Sequence, residues 1–456
     1  MLVVTLPRSA PEDQGLSSAA IDAFVAALDA SGQEIQTVML LRHGHVVLER
    51  EWAPYRLADP HLLFSVSKSF TATAVGLAVE AGLLAVDDKV VSFFGPAELP
   101  ETISANLAAM TVEHLLTMTT GHDEDTVGRL THDRRMVKVF LGLEVEREPG
   151  SWFVYNSGAS YLLSAIIQRL TGETLLDYLK PRLFEPLGIT GATWGASSEG
   201  ISFGGWGLSL DTESMAKFGQ LVLQRGLWNG EQLVPAEWFE AATAKQVDNS
   251  HSDNPDWQQG YGYQFWRGRN NTYRADGAFG QFVVAFPDHD AVLITTGATE
   301  DMQAVLDTAW ANLLPALEGK EVAPVPHPEL LELAPPSGPA PQAGDGQTYT
   351  FTPNPGFLRS VRWDADGAAV LTFLVTELSE PETTAFTCAP GAWLHAEGEP
   401  VVTSAYGDGD AFVATVRWLD TPFSGQFRCR VDNGRMTVDG KLNVSFGPTE
   451  FSIASE

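Results

Sequence analysis

Residues 321–346, EVAPVPHPELLELAPPSGPAPQAGDG, divide the chain into two parts of different texture. Proline has no amide hydrogen and a fixed φ, so a stretch this rich in Pro, Ala and Gly is a poor helix and a poor sheet. It reads as an extended linker. Before it, residues 1–320 mix helical and strand patterns. After it, residues 347–456 are β in texture, with DADG and DNG as hairpin turn signals between apolar runs. That C-terminal part is expected to be a small antiparallel barrel or sandwich.

The first part has a particular order. LSSAAIDAFVAALDASG is amphipathic at helical spacing, with Ser17 or Ser18 to cap it and Gly32 past its end. TVMLLRHGHVVLEREW reads as two strands around a His-Gly turn. Helical patterns fill the middle. AFGQFVVAFPDHDAVLITTG then reads as two apolar strands, and AVLDTAWANLLPALEG closes the region as a helix. Strands at both ends with helices between predict one α/β (α+β) domain whose first and last strands share a sheet.

Charge narrows the functions. The 456 residues carry a formal net charge of −30. Nucleic-acid binding needs a basic face, and an acidic chain is repelled by anionic membranes. Two cysteines, Cys388 and Cys429, are too few for a disulfide scaffold and form no zinc motif; they read as buried free thiols. His43-Gly44-His45 is better read as a hairpin turn than as metal ligands, and DADG lacks the later glutamate of a calcium loop. His122 reads as a surface histidine near a loop. No cofactor or metal is expected. MLVVTLPRSAPEDQG has no basic segment leading into an apolar core, and no apolar run approaches 18 residues, so the expected location is cytoplasmic.

One stretch does not fit a purely structural reading. In HLLFSVSKSFTATAVGLAVEAGLL, residues 61–84, Lys68 sits near the head of an apolar helical pattern, three places after Ser65. Residues i and i+3 share a helix face. Ser-x-x-Lys is common by chance, and its ordinary reading is a solvated lysine. Here both flanks are apolar, which a solvated lysine does not require. Burial and the positive end of the helix dipole would lower the lysine pKa, so that the neutral amine could take a proton from the serine. Backbone N–H groups at the same helix end could hold an oxyanion.

The same stretch, together with PRSAPEDQGLS, MTVEHLLTMTTGHD, PGSWFVYNSGASYLLSAIIQRLTG, GGWGLSLDTESMAKFGQLVLQRGLWNG and ADGAFGQF, resembles the serine hydrolases related to class C β-lactamases. The resemblance covers about residues 8–318. It implies a serine β-lactamase-like fold, an antiparallel sheet flanked by helices beside a helical subdomain, with the site at their junction. It assigns Ser65 as nucleophile, Lys68 as its companion and Tyr155, from the Tyr-x-Asn motif, as a further acid or base whose pKa a neighbouring lysine cation would lower. Which of Lys68 and Tyr155 takes the first proton stays open. The backbone N–H groups of Ser65 and Ala278 are the implied oxyanion donors.

Two departures from the family pattern bear on substrate. Tyr155-Asn156-Ser157 puts Ser157 in the place of the motif asparagine. Ala275-Asp276-Gly277 stands where Lys-Thr-Gly or His-x-Gly is usual, so the cation that holds a substrate carboxylate is missing. Strand alternation from Ala275 points Arg274 to the opposite face. Substrate contacts are expected from Ser157, Asn156, Gly277 and Asp276. GISFG, residues 200–204, matches Gly-x-Ser-x-Gly only in letter and reads as a loop at the cleft rim.

The expected function is therefore a metal-independent serine hydrolase acting through an acyl-enzyme on a small ester, amide or peptide. A D-amino-acid peptidase of the penicillin-binding type is the alternative within enzymes, and a catalytically silent peptide- or penicillin-binding module the alternative outside them. A silent module has no chemical need for Ser65, Lys68 and Tyr155 together. For the C-terminal domain three roles stay open: capping the cleft, forming a homodimer, or binding substrate.

Overall fold

A computed structural model describes residues 5–320, 331–376 and 381–456. The helices that matter for the site are α1 (Ser18–Ala30), α2 (Ser67–Glu80), α3 (Ser157–Thr171), α4 (Thr212–Leu223) and α5 (Met302–Thr308). The strands of the first sheet are β1 (Glu34–Arg42), β2 (His45–Glu51), β3 (Trp266–Arg267), β4 (Tyr273–Gly277), β5 (Gln281–Phe286) and β6 (Ala291–Ala298). Their order is β2-β1-β6-β5-β4-β3, antiparallel throughout. The chain's first strand thus pairs with its last in this domain, Glu34 opposite Ala298 through Arg42 opposite Ala291.

Both faces of this sheet are covered, which is why its central strands read as continuous apolar runs. Val38, Leu40, Phe282, Val284 and Leu293 face α1, α5 and the turns after α5. Met39, Leu41, Val283, Val292 and Ile294 face the other way, into the larger core shared with α2, α3 and α4. Successive side chains alternate between the two cores, as the pleat requires. Gly219 of α4 rests on the sheet, where a Cβ would come within 2.6 Å of Val292 and 2.7 Å of Val283. The His-Gly turn is present: His43 and Gly44 take φ of 49° and 75° between β1 and β2.

The C-terminal region forms two antiparallel sheets. One holds β7 (Thr348–Thr350), β8 (Leu358–Trp363), β9 (Ala369–Thr376) and β10 (Pro381–Cys388) in sequence order. The other holds β11 (Leu394–His395), β12 (Val401–Asp408), β13 (Ala411–Trp418), β14 (Ser424–Asp432), β15 (Arg435–Leu442) and β16 (Glu450–Ala454), also in sequence order. Leu358, Leu371 and Phe373 from the first meet Phe412, Phe427 and Val438 from the second in one core. Of the two expectations for this part, the sandwich matches and the closed barrel does not: among the described residues the sheets stay separate. Cys388 and Cys429 are buried and unpaired in this core.

The expected linker falls partly outside the described residues, at 321–330. The rest is extended but bonded on both sides. Ala53 donates its N–H to the Leu331 carbonyl, Leu333 donates back to Ala53, and Trp393 Nε1 donates to the Leu333 carbonyl at 3.0 Å. The two parts also meet directly. Arg417 on β13 pairs with Glu34 on β1 at 2.6 Å, with side chains only 13% and 19% exposed. Removing one partner of a pair this enclosed strands the other charge. Arg417→Met is expected to cost about 3 kcal/mol of stability, measured by urea denaturation, and Glu34→Gln added to it should restore part of that loss. An additive double mutant would show that the pair is not coupled.

Candidate active site

Ser65 does not begin the α-helix itself. It lies in a 3-10 turn, Phe64–Val66, that runs straight into α2. Phe64 before it has φ of 46°, in the left-handed region that only glycine enters freely. This sharp entry aims Ser65 into the cleft, while Lys68, one turn on, is buried to 1% exposure. Most of α2 is buried on all sides, which accounts for its weak amphipathic pattern.

Lys68 Nζ has three oxygen neighbours: Ser65 Oγ at 2.9 Å, Ser157 Oγ at 3.2 Å and the Gly205 carbonyl at 2.8 Å. The Gly205 carbonyl can only accept, so one N–H is committed there. In the neutral amine a second N–H goes to Ser157, leaving the lone pair for the Ser65 hydroxyl hydrogen. Burial pushes the Lys68 pKa down to about 8, although Asp125 and Asp276 pull the other way. A usable fraction is therefore neutral near pH 7.

Gly205 belongs to the glycine-rich segment that follows GISFG. Thr71 Oγ1 donates to the Gly204 carbonyl at 2.7 Å, and Leu208 N–H donates to Ser67 Oγ at 3.1 Å, so the loop is tied to α2. A Cβ at Gly205 would sit 3.0 Å from the Ser157 carbonyl and 3.4 Å from Lys68 Nζ. Ser202 is buried in a bridge with Ala196, not raised on an elbow.

Tyr155 stacks on Trp266, ring centroids 5.2 Å apart, and Lys68 Nζ lies 4.8 Å from its own centroid. Its hydroxyl neighbours Ser65. The expected lowering of its pKa does not occur. Burial first, then the nearby Asp276 carboxylate, push the phenol well above its ordinary value, outweighing the opposite pull of Ser65. At neutral pH Tyr155 is a phenol that donates, and Lys68 is the group able to accept.

The remaining sequence-derived residues separate. Ser157 lines the cleft beside Lys68. Asn156 does not: it is fully buried, and its Oδ1 accepts from Thr126 N–H, Thr126 Oγ1 and Gly158 N–H, capping α3. With its oxygen spent on backbone and hydroxyl donors, it has none free for substrate. Gly277 serves a backbone approach, since a Cβ there would fall 2.1 Å from the Leu63 carbonyl. Asp276 faces the cleft, and Arg274, two residues back on β4, shares that side. Arg274 Nε donates to Asp276 Oδ2 at 3.0 Å from beneath, with its guanidinium over Trp257, so it is neither on the far side of the strand nor a free cation for substrate. Ala278 lines the cleft next to Ser65, at a turn held by Gln281 Nε2 donating to its carbonyl. His122 is buried, not surface: its Nδ1 bonds Thr120 Oγ1 and burial lowers its pKa to about 4.

The cleft these groups line holds about 770 Å3. Among its walls are Asp125, Asp253, Asp276, Glu300 and Asp301, and no Lys or Arg. Asp125, whose Oδ1 accepts from Ser157 N–H at 2.9 Å, carries no sequence signal that sets it apart from neighbouring loop acids. Gly205 contributes only a carbonyl, which composition cannot reveal. Among the described residues no group of three His, Cys, Asp or Glu is placed to hold a metal.

Comparison with known proteins identifies the family. The β-lactamase family model matches residues 20–315. The chain belongs to the β-lactamase family. It is 27% identical over 225 residues to the 6-aminohexanoate-dimer hydrolase of Paenarthrobacter ureafaciens, covering 45% of this chain and 56% of that one. It is 26% identical over 192 residues to the lovastatin esterase of Penicillium rubens, covering 37% of this chain and 47% of that one. The chain thus spans about half the length of these two hydrolases. An octameric penicillin-binding protein homologue from Pyrococcus abyssi shares the fold at TM-score 0.54 and 16% identity, over 96% of this chain and 99% of its own, so the likeness includes the C-terminal sheets.

Because Lys68 works as a base only when neutral, kcat/KM for an ester is expected to rise with pH, about tenfold per unit at first, and to level off near pH 8. Lys68→Met should flatten that limb and lower kcat/KM by ~10²–10⁴-fold. A rate that falls as pH rises through 8 would assign the base elsewhere.

Proposed function

We propose that the protein hydrolyses carboxylic esters or amides through an acyl-enzyme on Ser65. The observation that carries this reading is the buried Lys68 amine, 2.9 Å from Ser65 Oγ, with its other hydrogens engaged by Gly205 and Ser157. Ser65 Oγ attacks the carbonyl carbon as its proton passes to Lys68. The Ser65 and Ala278 N–H groups receive the oxyanion. The tetrahedral adduct collapses, and the leaving group departs with a proton supplied by the Lys68–Tyr155 pair. Water then surrenders a proton to the same pair, attacks the acyl carbonyl, and Ser65 leaves with its hydrogen restored. Neither residue ends with a changed charge.

Substrate charge follows from the lining. Apart from Lys68 at the floor, the described residues lining the cleft offer five acidic side chains and no Lys or Arg, which disfavours an anionic substrate, and the Arg274 guanidinium is spent on Asp276. Neutral esters and amides fit best, with β-lactam turnover weak. The same acidic lining suits an amide bearing a free ammonium group, which keeps a D-amino-acid peptidase as the second reading. Residues 1–320 are the hydrolase domain in this account and 347–456 an accessory β domain. A cytoplasmic enzyme, with homodimer formation open, accords with the acidic chain and with described helices all too short or too polar to cross a membrane.

Steady-state kinetics on a p-nitrophenyl ester, a penicillin and a D-alanyl anilide tests this. Ester turnover that Ser65→Ala loses by at least ~10³-fold is expected, with penicillin turnover far lower. Penicillin hydrolysed as well as the ester would contradict the charge argument.

A further inference from the structure

The cleft has two aromatic walls. One is Tyr155 with Trp266 and Trp257. The other comes from two parts of the chain. Phe64 and Phe279, the neighbours of Ser65 and Ala278, meet edge to face at 5.5 Å. On them rest Phe423 and Phe446 of the C-terminal region. Phe446 lies 5.7 Å from Phe64 and 4.8 Å from Phe279, and Phe423 lies 6.0 Å and 5.8 Å from the same two rings.

Phe446 is 76% exposed, yet it lines the same cleft as Ser65 and Ala278. It stands on the connection between β15 and β16, which is well tied. Asn443 exchanges bonds with Ser424 through N–H and Oδ1, its Nδ2 donates to the Pro422 carbonyl, and Val444 is buried against Phe64 and Phe279. A single exposed aromatic on a surface is unremarked in most proteins. Here the ring is fixed on one side by two phenylalanines and open on the other to the reacting centre.

The leaving group must reach Tyr155 to receive its proton, so it points to the first wall. The acyl group then extends along the second. We propose that Phe446 is a specificity-determining residue, supplying the C-terminal region's share of an acyl-binding wall for substrates with an apolar acyl group of several carbons or an aryl ring. This rests on the hydrolase reading above and names the substrate class for it. A substrate acyl chain would cover the ring that now faces water, and burying a phenyl group is worth ~10–100-fold in binding.

The test uses the full chain and two esters with one leaving group, p-nitrophenyl acetate and octanoate. Phe446→Ala is expected to lower the octanoate-to-acetate ratio of kcat/KM at least tenfold, through KM, and Phe446→Leu to restore most of it. Equal losses on both esters would mean that the ring only braces the backbone, and an unchanged ratio that it touches no acyl group; either overturns the proposal. Binding is read separately in the Ser65→Ala protein, where the Kd of N-octanoyl anilide should rise about tenfold on adding Phe446→Ala, and an unchanged Kd overturns the proposal even if no ester is hydrolysed. Ester turnover that survives Ser65→Ala would instead overturn the hydrolase reading.

Discussion

The site depends on keeping one amine out of water. An ammonium ion transferred from solvent to an interior costs several kcal/mol unless oxygens replace its hydration. Lys68 receives three such oxygens, from the 3-10 turn that leads into α2, from the head of α3 and from the glycine-rich loop. Each must be placed by a different part of the fold, so the lysine is where three elements meet. The residual desolvation is what lowers its pKa toward the range in which the amine is neutral.

The side proposed to hold the oxyanion is built by a different means. Phe64 and Phe279 hold φ of 46° and 70°, conformations that cost about 1–3 kcal/mol each and persist only where the surroundings over-determine them. Gln281 and Thr299 pin the turn at Phe279 through backbone bonds, Gln281 Nε2 to the Ala278 carbonyl and Thr299 N–H to the Phe279 carbonyl. The phenyl rings themselves pack on each other and under Phe423 and Phe446. The C-terminal sheets are thereby joined to the backbone beside Ser65 and Ala278. The Asp420 carbonyl, which accepts from Leu62 N–H, extends that contact to the residues before Ser65.

What the sequence makes legible follows periodicity and local motif. The α1 helix, the β1–β2 hairpin and the shared sheet could be read because their patterns are short-range and their turns carry Gly. Ser65 and Lys68 could be read because one helical turn joins them. The motif puts Asn156 at the substrate, but a motif letter does not say which way a side chain turns, and three donors on α3 and at Thr126 claim it. A lysine next to Tyr155 suggests a cation that lowers its pKa, whereas burial and Asp276 dominate and raise it. Alternation from Ala275 puts Arg274 on the far face, while Asp276 is the residue that faces the cleft and Arg274 bonds it. Phe446 carries no signal at all, since Phe64 and Phe279 lie far from it in sequence and no local pattern marks an exposed phenylalanine as part of a cleft.

The most direct measurement of the central claim is intact-mass spectrometry after incubation with a fluorophosphonate, which reacts with a serine only when that serine is activated. One adduct on the wild-type chain, absent from Ser65→Ala and slowed in Lys68→Met, is the predicted result. No adduct on the wild type, or an adduct that Ser65→Ala retains, would contradict a nucleophile at Ser65 activated by Lys68.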